Sequence, residues 1–368
     1  MTNEEIKFPL YAKVTIFLIG LFALTAILFI AKSIIIPLVF ATIIAIMLSP
    51  IVDFLVRLKI NRLLAIAVVM LLTFFVLFAF VSLVISQISR FSDSWPILVE
   101  KFSGIINQNI SDAASYFDKD PQKIHEWIAK VQGEIINSNT AAIGQTLVIV
   151  GNGLVILFLL PVYIFLILFY QPILLEFIHR LFGRDNHNSV SEIIGQIKTV
   201  IQRYLFGLLI EAILVAFLDT AALLIFGIEY ALLLGIFGAL LNMIPYIGGL
   251  VAVAMPMMVA LVTKTPVYAI YVMIAYYIIQ LIDNNFIVPK IVASKVKINA
   301  LFSIIVVIAG NALWGIPGMF LSIPVLAIVK LVCDHIEPLK PWGFLLGDTM
   351  PPLIKIDRIF SKTKNKST

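Results

Sequence analysis

The chain has 368 residues, 61% of them hydrophobic and 13% charged, with a net charge of +5 and a mean hydropathy of +1.07. An ordinary water-soluble domain is about 45–50% apolar and about 25% charged, so this balance excludes a chain folded in water and requires a bilayer as solvent. The single cysteine, Cys333, excludes an intramolecular disulfide and a cysteine metal cluster.

The first nine residues carry two glutamates, and no small-residue cleavage site follows the first apolar run, so no cleaved signal peptide is expected. Crossing the hydrocarbon takes about 20 helical residues. Val14–Ala31, Ser33–Val56 and Leu63–Ser86 supply the first three spans, with Pro37 in the opening turns of the second, where a missing N–H is tolerated. Residues 87–146 then change character, with seven acids and five Lys/Arg. Leu98, Phe102, Ile105 and Ile106, and later Ile124, Trp127, Ile128, Val131 and Ile135, fall at helical spacing, while Pro96 and Pro121 suit helix starts. This predicts two amphipathic helices outside the bilayer. Leu147–Tyr170 is the fourth span, 172–205 a basic helical connector, and Phe206–Phe226 the fifth span.

The remaining apolar runs are interrupted. Ala231–Val262 is broken near its middle by Asn242, Pro245, Gly248 and Gly249. Each arm is about 12 residues, roughly 18 Å of helix, too short for a core of about 30 Å. Val267–Ile282 is a continuous span, and Ala300–Val332 is broken by Gly310, Asn311, Gly315, Pro317 and Gly318. The broken runs are either kinked full spans, giving eight crossings, or re-entrant hairpins. With kinked full spans Lys290, Lys295 and Lys297 fall outside; with two hairpins they fall inside with the basic loops 56–62 and 172–205, leaving Lys264 outside as a lone exception, so the positive-inside rule favours hairpins. The expected fold is an all-α polytopic membrane protein of about eight apolar helical segments. Segments 231–262 and 300–332 are then hairpins, each following a span, in an inverted repeat. The expected division is 1–86 (spans one to three), 87–146 (extracytoplasmic), 147–205 (span four and cytoplasmic connector), 206–332 (transport core) and 333–368 (basic cytoplasmic tail).

Broken membrane helices leave backbone groups free where protein or a water-filled cavity can satisfy them. The breaks at Pro245–Tyr246–Ile247–Gly248–Gly249 and Gly315–Ile316–Pro317–Gly318 suit an ion or small polar substrate; the bland alternative is a kink or close helix packing. Glu211 and Asp219 lie within one apolar run, and an intramembrane acid is a functional candidate by default. Gln280, Asp283, Asn284 and Asn285 place one carboxylate and three amides within six residues; they suit a monovalent cation or a polyol, or else form a polar helix end capped by the asparagines and stopped by Pro289. His125, His179, His187 and His335 are scattered, and neither a nucleophile elbow nor a Walker loop occurs. No catalytic residue, metal site, cofactor or nucleic-acid partner is expected, and no ATP-driven step.

Together, Pro245–Gly249, Gln280-x-x-Asp283-x-Asn285-x-x-x-Pro289 and Gly310…Gly315-x-x-Gly318-Met319…Ile323-Pro324 resemble the autoinducer-2 exporter (AI-2E) family, also called PerM-like permeases. Arg203-Tyr204-Leu205-x-Gly207 and the His335–Pro341 tail are similar to further family segments. The chain departs at Gly249, where many members carry proline, at Asp283, where glutamate is usual, and at Asn299-Ala300, often His-Pro. The resemblance implies a multi-pass bacterial inner-membrane protein with both termini cytoplasmic, a homo-oligomer, and secondary-active export of a small polar solute such as autoinducer-2. The alternatives are a Na⁺(Li⁺)/H⁺ antiporter and a non-transporting scaffold or sensor presenting 87–146. On the transport readings the path is lined by Glu211, Asp219, Asn242, Pro245, Tyr246, Gly248, Gly249, Gln280, Asp283, Asn285, Pro289, Gly315 and Gly318.

Overall fold

The computed structural model describes residues 9–117, 159–182, 187–244, 248–292 and 298–348. The expected helices at 121–146, the first half of the fourth span, and Pro245 and Tyr246 lie outside the described residues. The described elements are α1 (Leu10–Ile30), α2 (Lys32–Arg57), α3 (Arg62–Phe117), α4 (Leu159–Leu181) and α5 (His187–Ile225). They continue as α6 (Ala231–Asn242), α7 (Gly248–Ala252), α8 (Ala254–Thr263), α9 (Pro266–Ile282), a π-helix over Asp283–Val292, α10 (Ala300–Trp314), α11 (Ile316–His335) and α12 (Lys340–Leu346). Among the described residues, six helices are long and apolar enough to cross a membrane, and Val14–Ile30 of α1 adds a shorter, mostly exposed apolar helix.

Two continuities depart from the sequence expectation. The third span does not end near residue 86: α3 runs unbroken for 56 residues, about 84 Å, with Pro96 inside it rather than starting a new helix. The carbonyl that Pro96 leaves without a helical partner belongs to Ser92, on an exposed face where other partners are available. Likewise the later part of the basic connector and the fifth span are one helix, α5, of 39 residues, while residues 172–181 of the connector belong to α4.

Proline also shapes α2. Pro50 cannot donate to Ile46, and that freed carbonyl instead accepts from Gln202 Nε2 at 2.7 Å and from Ser49 Oγ at 3.2 Å. A helix-breaking residue thereby fastens α2 to α5. Around this link, Ile43, Ile201, Tyr204, Leu205, Leu208 and Leu321 pack as a core shared by α2, α5 and α11. Elsewhere, α2, α3 and α4 pack through Ala41, Ala45, Ala65, Ile66 and Leu168.

α5 ends in a Schellman turn: Gly227 (φ +63°) donates to Leu224 O, and Ile228 to Leu223 O. Tyr230 follows, its ring edge-on to Phe91 at 5.3 Å and its hydroxyl donating to Ser94 Oγ at 2.7 Å, which fixes the turn against α3. The chain then enters a hairpin. At the start of α6, Leu233 and Leu234 pack with Val259 and Ala260 near the end of α8. At its far end the chain folds back so tightly that a side chain on Gly248 would collide with Leu241 O. α6 and α8 therefore run antiparallel, and the α6–α8 unit returns to the end of the bundle it entered from. This excludes a kinked full span.

The second broken run folds back as well. Ser322 Oγ of α11 lies 2.8 Å from Val306 O of α10 and 2.6 Å from Gly318 O, and the backbones of Gly310 and Gly318 touch. The turn sits at Gly315, whose φ of +67° suits glycine. Asn299 donates to Leu346 O at 2.9 Å, so α10 starts beside the residues that follow α11. At the tip, Trp314 Nε1 donates at 3.0 Å to Leu28 O, one of the carbonyls left free at the end of α1.

α9 runs antiparallel to α5, and each precedes one hairpin, so the two span-plus-hairpin units have opposite orientations, the inverted-repeat pattern. The polar cluster at 280–285 does not cap and end α9. Helical turns continue through Pro289 to Val292 as a π-helix, whose wider turns recur at functional sites.

Candidate functional site

α5, the broken end of α6, α7, and the α9–π junction line an open cavity of about 830 Å³. Asn242 is the last residue of α6. Its amide Nδ2 donates to Asp283 Oδ2 at 2.9 Å and, more weakly, to Glu211 Oε1 at 3.4 Å. One amide from the hairpin thus joins two acids carried by the two antiparallel helices. Asp283 is 2% exposed and Glu211 6%. The second oxygen of Asp283, Oδ1, is buried with no hydrogen-bond partner.

The wall around this group is mostly apolar, with Leu208, Met243, Val253, Met257 and Met273, and polar atoms come from Tyr204, Tyr276, Gln280, Asn284 and Ser303. The Gln280 side chain lies over Gly249, where a β-carbon would collide with its amide; α9 and the hairpin approach this closely because residue 249 is glycine. Gln280 Nε2 reaches Asn284 Oδ1 at 3.5 Å, at the cavity mouth. Among the described residues no lysine, arginine or histidine lines the cavity. Two carboxylates held together in a low-dielectric layer need compensating positive charge, as a bound proton or cation, or hydroxyl donors from a ligand.

The structure gathers Glu211, Asn242, Gly249, Gln280 and Asp283 of the sequence-derived set at this cavity. Gly248 lies behind it, closing the hairpin turn. Asp219 is equally buried, at 2% exposure, but lies two helical turns along α5, outside the lining. Asn285 points away, donating to Leu281 O at 2.8 Å, and Pro289 is exposed. Gly315 and Gly318 do not reach the cavity. Gly318 is used in packing α10 against α11, so the second break serves helix contact; its hairpin reaches the cavity through Ile298, Ser303 and Ile323. Tyr276 and Ser303 are not singled out by the sequence, and Tyr204 enters it only within the Arg203–Gly207 segment and not as a path residue, because single hydroxyls within apolar runs are common and only the fold turns them to one space.

This arrangement defines a class: a polytopic helical membrane protein with a buried acid–amide cluster between antiparallel spans and a broken hairpin. The profile of the AI-2E family transporter matches residues 16–337, and the chain belongs to that family. It is 25% identical over 312 residues to YrrI of Bacillus subtilis strain 168, a protein given a provisional transport name, covering 83% of this chain and 87% of that one. It is 22% identical over 330 residues to the AI-2 transport protein TqsA of Escherichia coli K12, covering 86% and 90%. The provisional permease PerM of the same organism is 26% identical over 246 residues, covering 64% and 69%.

Proposed function

We propose that the chain is a secondary-active transporter that exports a small polar solute, with autoinducer-2 the leading candidate because TqsA carries that name. The observation that carries this reading is the Glu211–Asn242–Asp283 cluster, buried at the broken end of a hairpin and facing a mostly apolar cavity. Acceptor oxygens outnumber donors there, so the site favours a ligand rich in hydroxyl donors, or a cation, over an anion. The inverted units supply a pair of elements able to rock about this point and expose it to either side in turn. On this reading the protein sits in the bacterial inner membrane with both termini cytoplasmic, residues 87–146 face the other side, and several copies assemble.

The test is flux into proteoliposomes containing the purified full-length protein, with autoinducer-2, Na⁺ and Li⁺ offered separately. Movement of at least one above empty vesicles, lost in Asp283→Asn, is the expected result. No movement of any of the three rejects the reading.

A Na⁺(Li⁺)/H⁺ antiporter is the second reading, favoured by the free Oδ1 of Asp283 beside Glu211 with no basic side chain among the described lining residues. It requires Na⁺-induced pH recovery in inverted vesicles that fails in Asp283→Asn or Asp219→Asn. Full recovery in both variants removes it.

A further inference from the structure

A short helix closes the second hairpin at its base. α12 is fastened to both arms. The Asn299 amide, at the start of α10, donates to Leu346 O at 2.9 Å, and Ile298 forms an antiparallel bridge with Gly347. On the other arm, α12 lies so close to the end of α11 that a side chain on Gly343 would collide with Asp334. Leu339, Gly343 and Leu346 recur at helical spacing and turn inward, with Gly343 and Leu346 buried. The opposite face carries Pro341, Phe344 and Leu345, flanked by Trp342. Trp342 and Phe344 are each 60% exposed and Leu345 is 46% exposed, so the outer face of this seven-residue helix is apolar and largely uncovered among the described residues.

Position decides what covers it. The hairpin tip lies at Trp314, which donates to Leu28 O at the end of α1. From that tip α11 runs 20 residues to His335, about 30 Å, which is one hydrocarbon thickness. α12 starts just past that end, at headgroup depth. Val325, Val329 and Ile336 form an exposed apolar stripe that follows α11 to the same end. Tryptophan is enriched at this depth, where its ring meets both acyl chain and headgroup. Beyond α12 the sequence adds Lys355, Arg358, Lys362, Lys364 and Lys366 against the single acid Asp357, a balance that suits headgroup phosphates. A protein partner fits less well, because a standard interface uses roughly 20–30 residues a side and this face offers three large side chains.

We infer that α12 is a lipid anchor: Trp342, Phe344 and Leu345 sit at the headgroup–acyl boundary of the leaflet at the hairpin base, and the bonds to residues 298 and 299 hold the start of α10 there. Ile298 and Ser303, on either side of that start, line the cavity beside Asp283. The depth of α12 in the leaflet therefore sets the position of one cavity wall. The identity of the transported species does not enter.

The test is tryptophan fluorescence of the full-length protein in nanodiscs of phosphatidylcholine brominated either close to the headgroup or near the end of the acyl chain. The component of emission that is lost in Trp342→Phe should fall by about twofold with the shallow bromines and by less with the deep ones. Phe344→Ser combined with Leu345→Ser, which alters only the outward face, should remove that quenching and speed hydrogen exchange in the first turns of α10 by about threefold, leaving α5 unchanged. No quenching of the Trp342 component by either lipid, or stronger quenching by the deep bromines, overturns the interfacial placement. Loss of quenching in the double variant with unchanged exchange in α10 overturns the hold on the hairpin.

Discussion

Replacing Asn242 by leucine keeps the side-chain volume and removes the single donor that serves both Asp283 and Glu211. A hydrogen bond to a charged group contributes about 1.5–3 kcal/mol, and a buried acceptor stripped of its donor costs the larger share of that. The 3.4 Å contact to Glu211 is too long to add much, so Asn242→Leu should destabilise by about 3 kcal/mol, carried mainly by Asp283. Asp283→Asn alone should cost less, about 1 kcal/mol, because its amide oxygen can still accept from Asn242. Once residue 283 is asparagine, losing the Asn242 donor no longer strands a carboxylate, so the double variant should fall short of the summed single costs by about 2 kcal/mol. The assay is equilibrium unfolding of purified protein in mixed micelles, read by loss of helix signal for the four species of the cycle. Additivity within about 0.5 kcal/mol would refute the claim that Asn242 acts through Asp283.

Gln202→Leu leaves the Ile46 carbonyl freed by Pro50 with only the longer Ser49 Oγ donor and should destabilise by about 1 kcal/mol; in a Pro50→Ala background, where that carbonyl regains a helical donor, the cost should drop below about 0.5 kcal/mol in the same unfolding assay. Gly318→Ala drives a methyl into the Gly310 backbone and should cost more than about 2 kcal/mol, whereas Gly20→Ala, with open space around it on α1, should be neutral or stabilising by up to about 1 kcal/mol. Trp314→Phe keeps the ring and removes the donor to Leu28 O, so hydrogen exchange at the end of α1 should accelerate by about fivefold while α9 is unaffected. In a Cys333→Ser background, an impermeant thiol reagent applied to intact cells should label a cysteine at Glu229 and not one at Glu337; the opposite pattern would invert the proposed orientation.

The fold is legible in the sequence where solvent dictates it. Runs of about 20 apolar residues have one stable form in lipid, and a run with Asn242, Gly248 and Gly249 at its centre cannot be a simple span. The polar residues at 280–285 were ambiguous because a helix end and a functional site use the same side chains. What separates them is that the chain keeps turning beyond Asp283, and a π-helix has no sequence signature at this level. The two glycine–proline breaks look equivalent on paper but play different parts, since glycine serves both close packing, at Gly318, and approach to a polar cluster, at Gly249. Pro96 was misleading for a related reason: a proline tolerated at an exposed helical position reads the same as one that starts a helix. Gln202 answers the carbonyl that Pro50 leaves free on another helix, a pairing that no local pattern in either helix encodes.

α3 has a mechanical consequence. A hydrocarbon core accounts for about 30 Å of its roughly 84 Å, so one unbroken rod is far longer than a single crossing needs. Its pivot is set by Phe91 and Ser94 against Tyr230, with Trp95 packed on Phe91, at the turn that leads directly into the α6–α8 hairpin. A rod held near such a point behaves as a lever: a few degrees of tilt beside the hairpin become a swing of several ångströms at its far end, and a load applied there returns to the hairpin as torque.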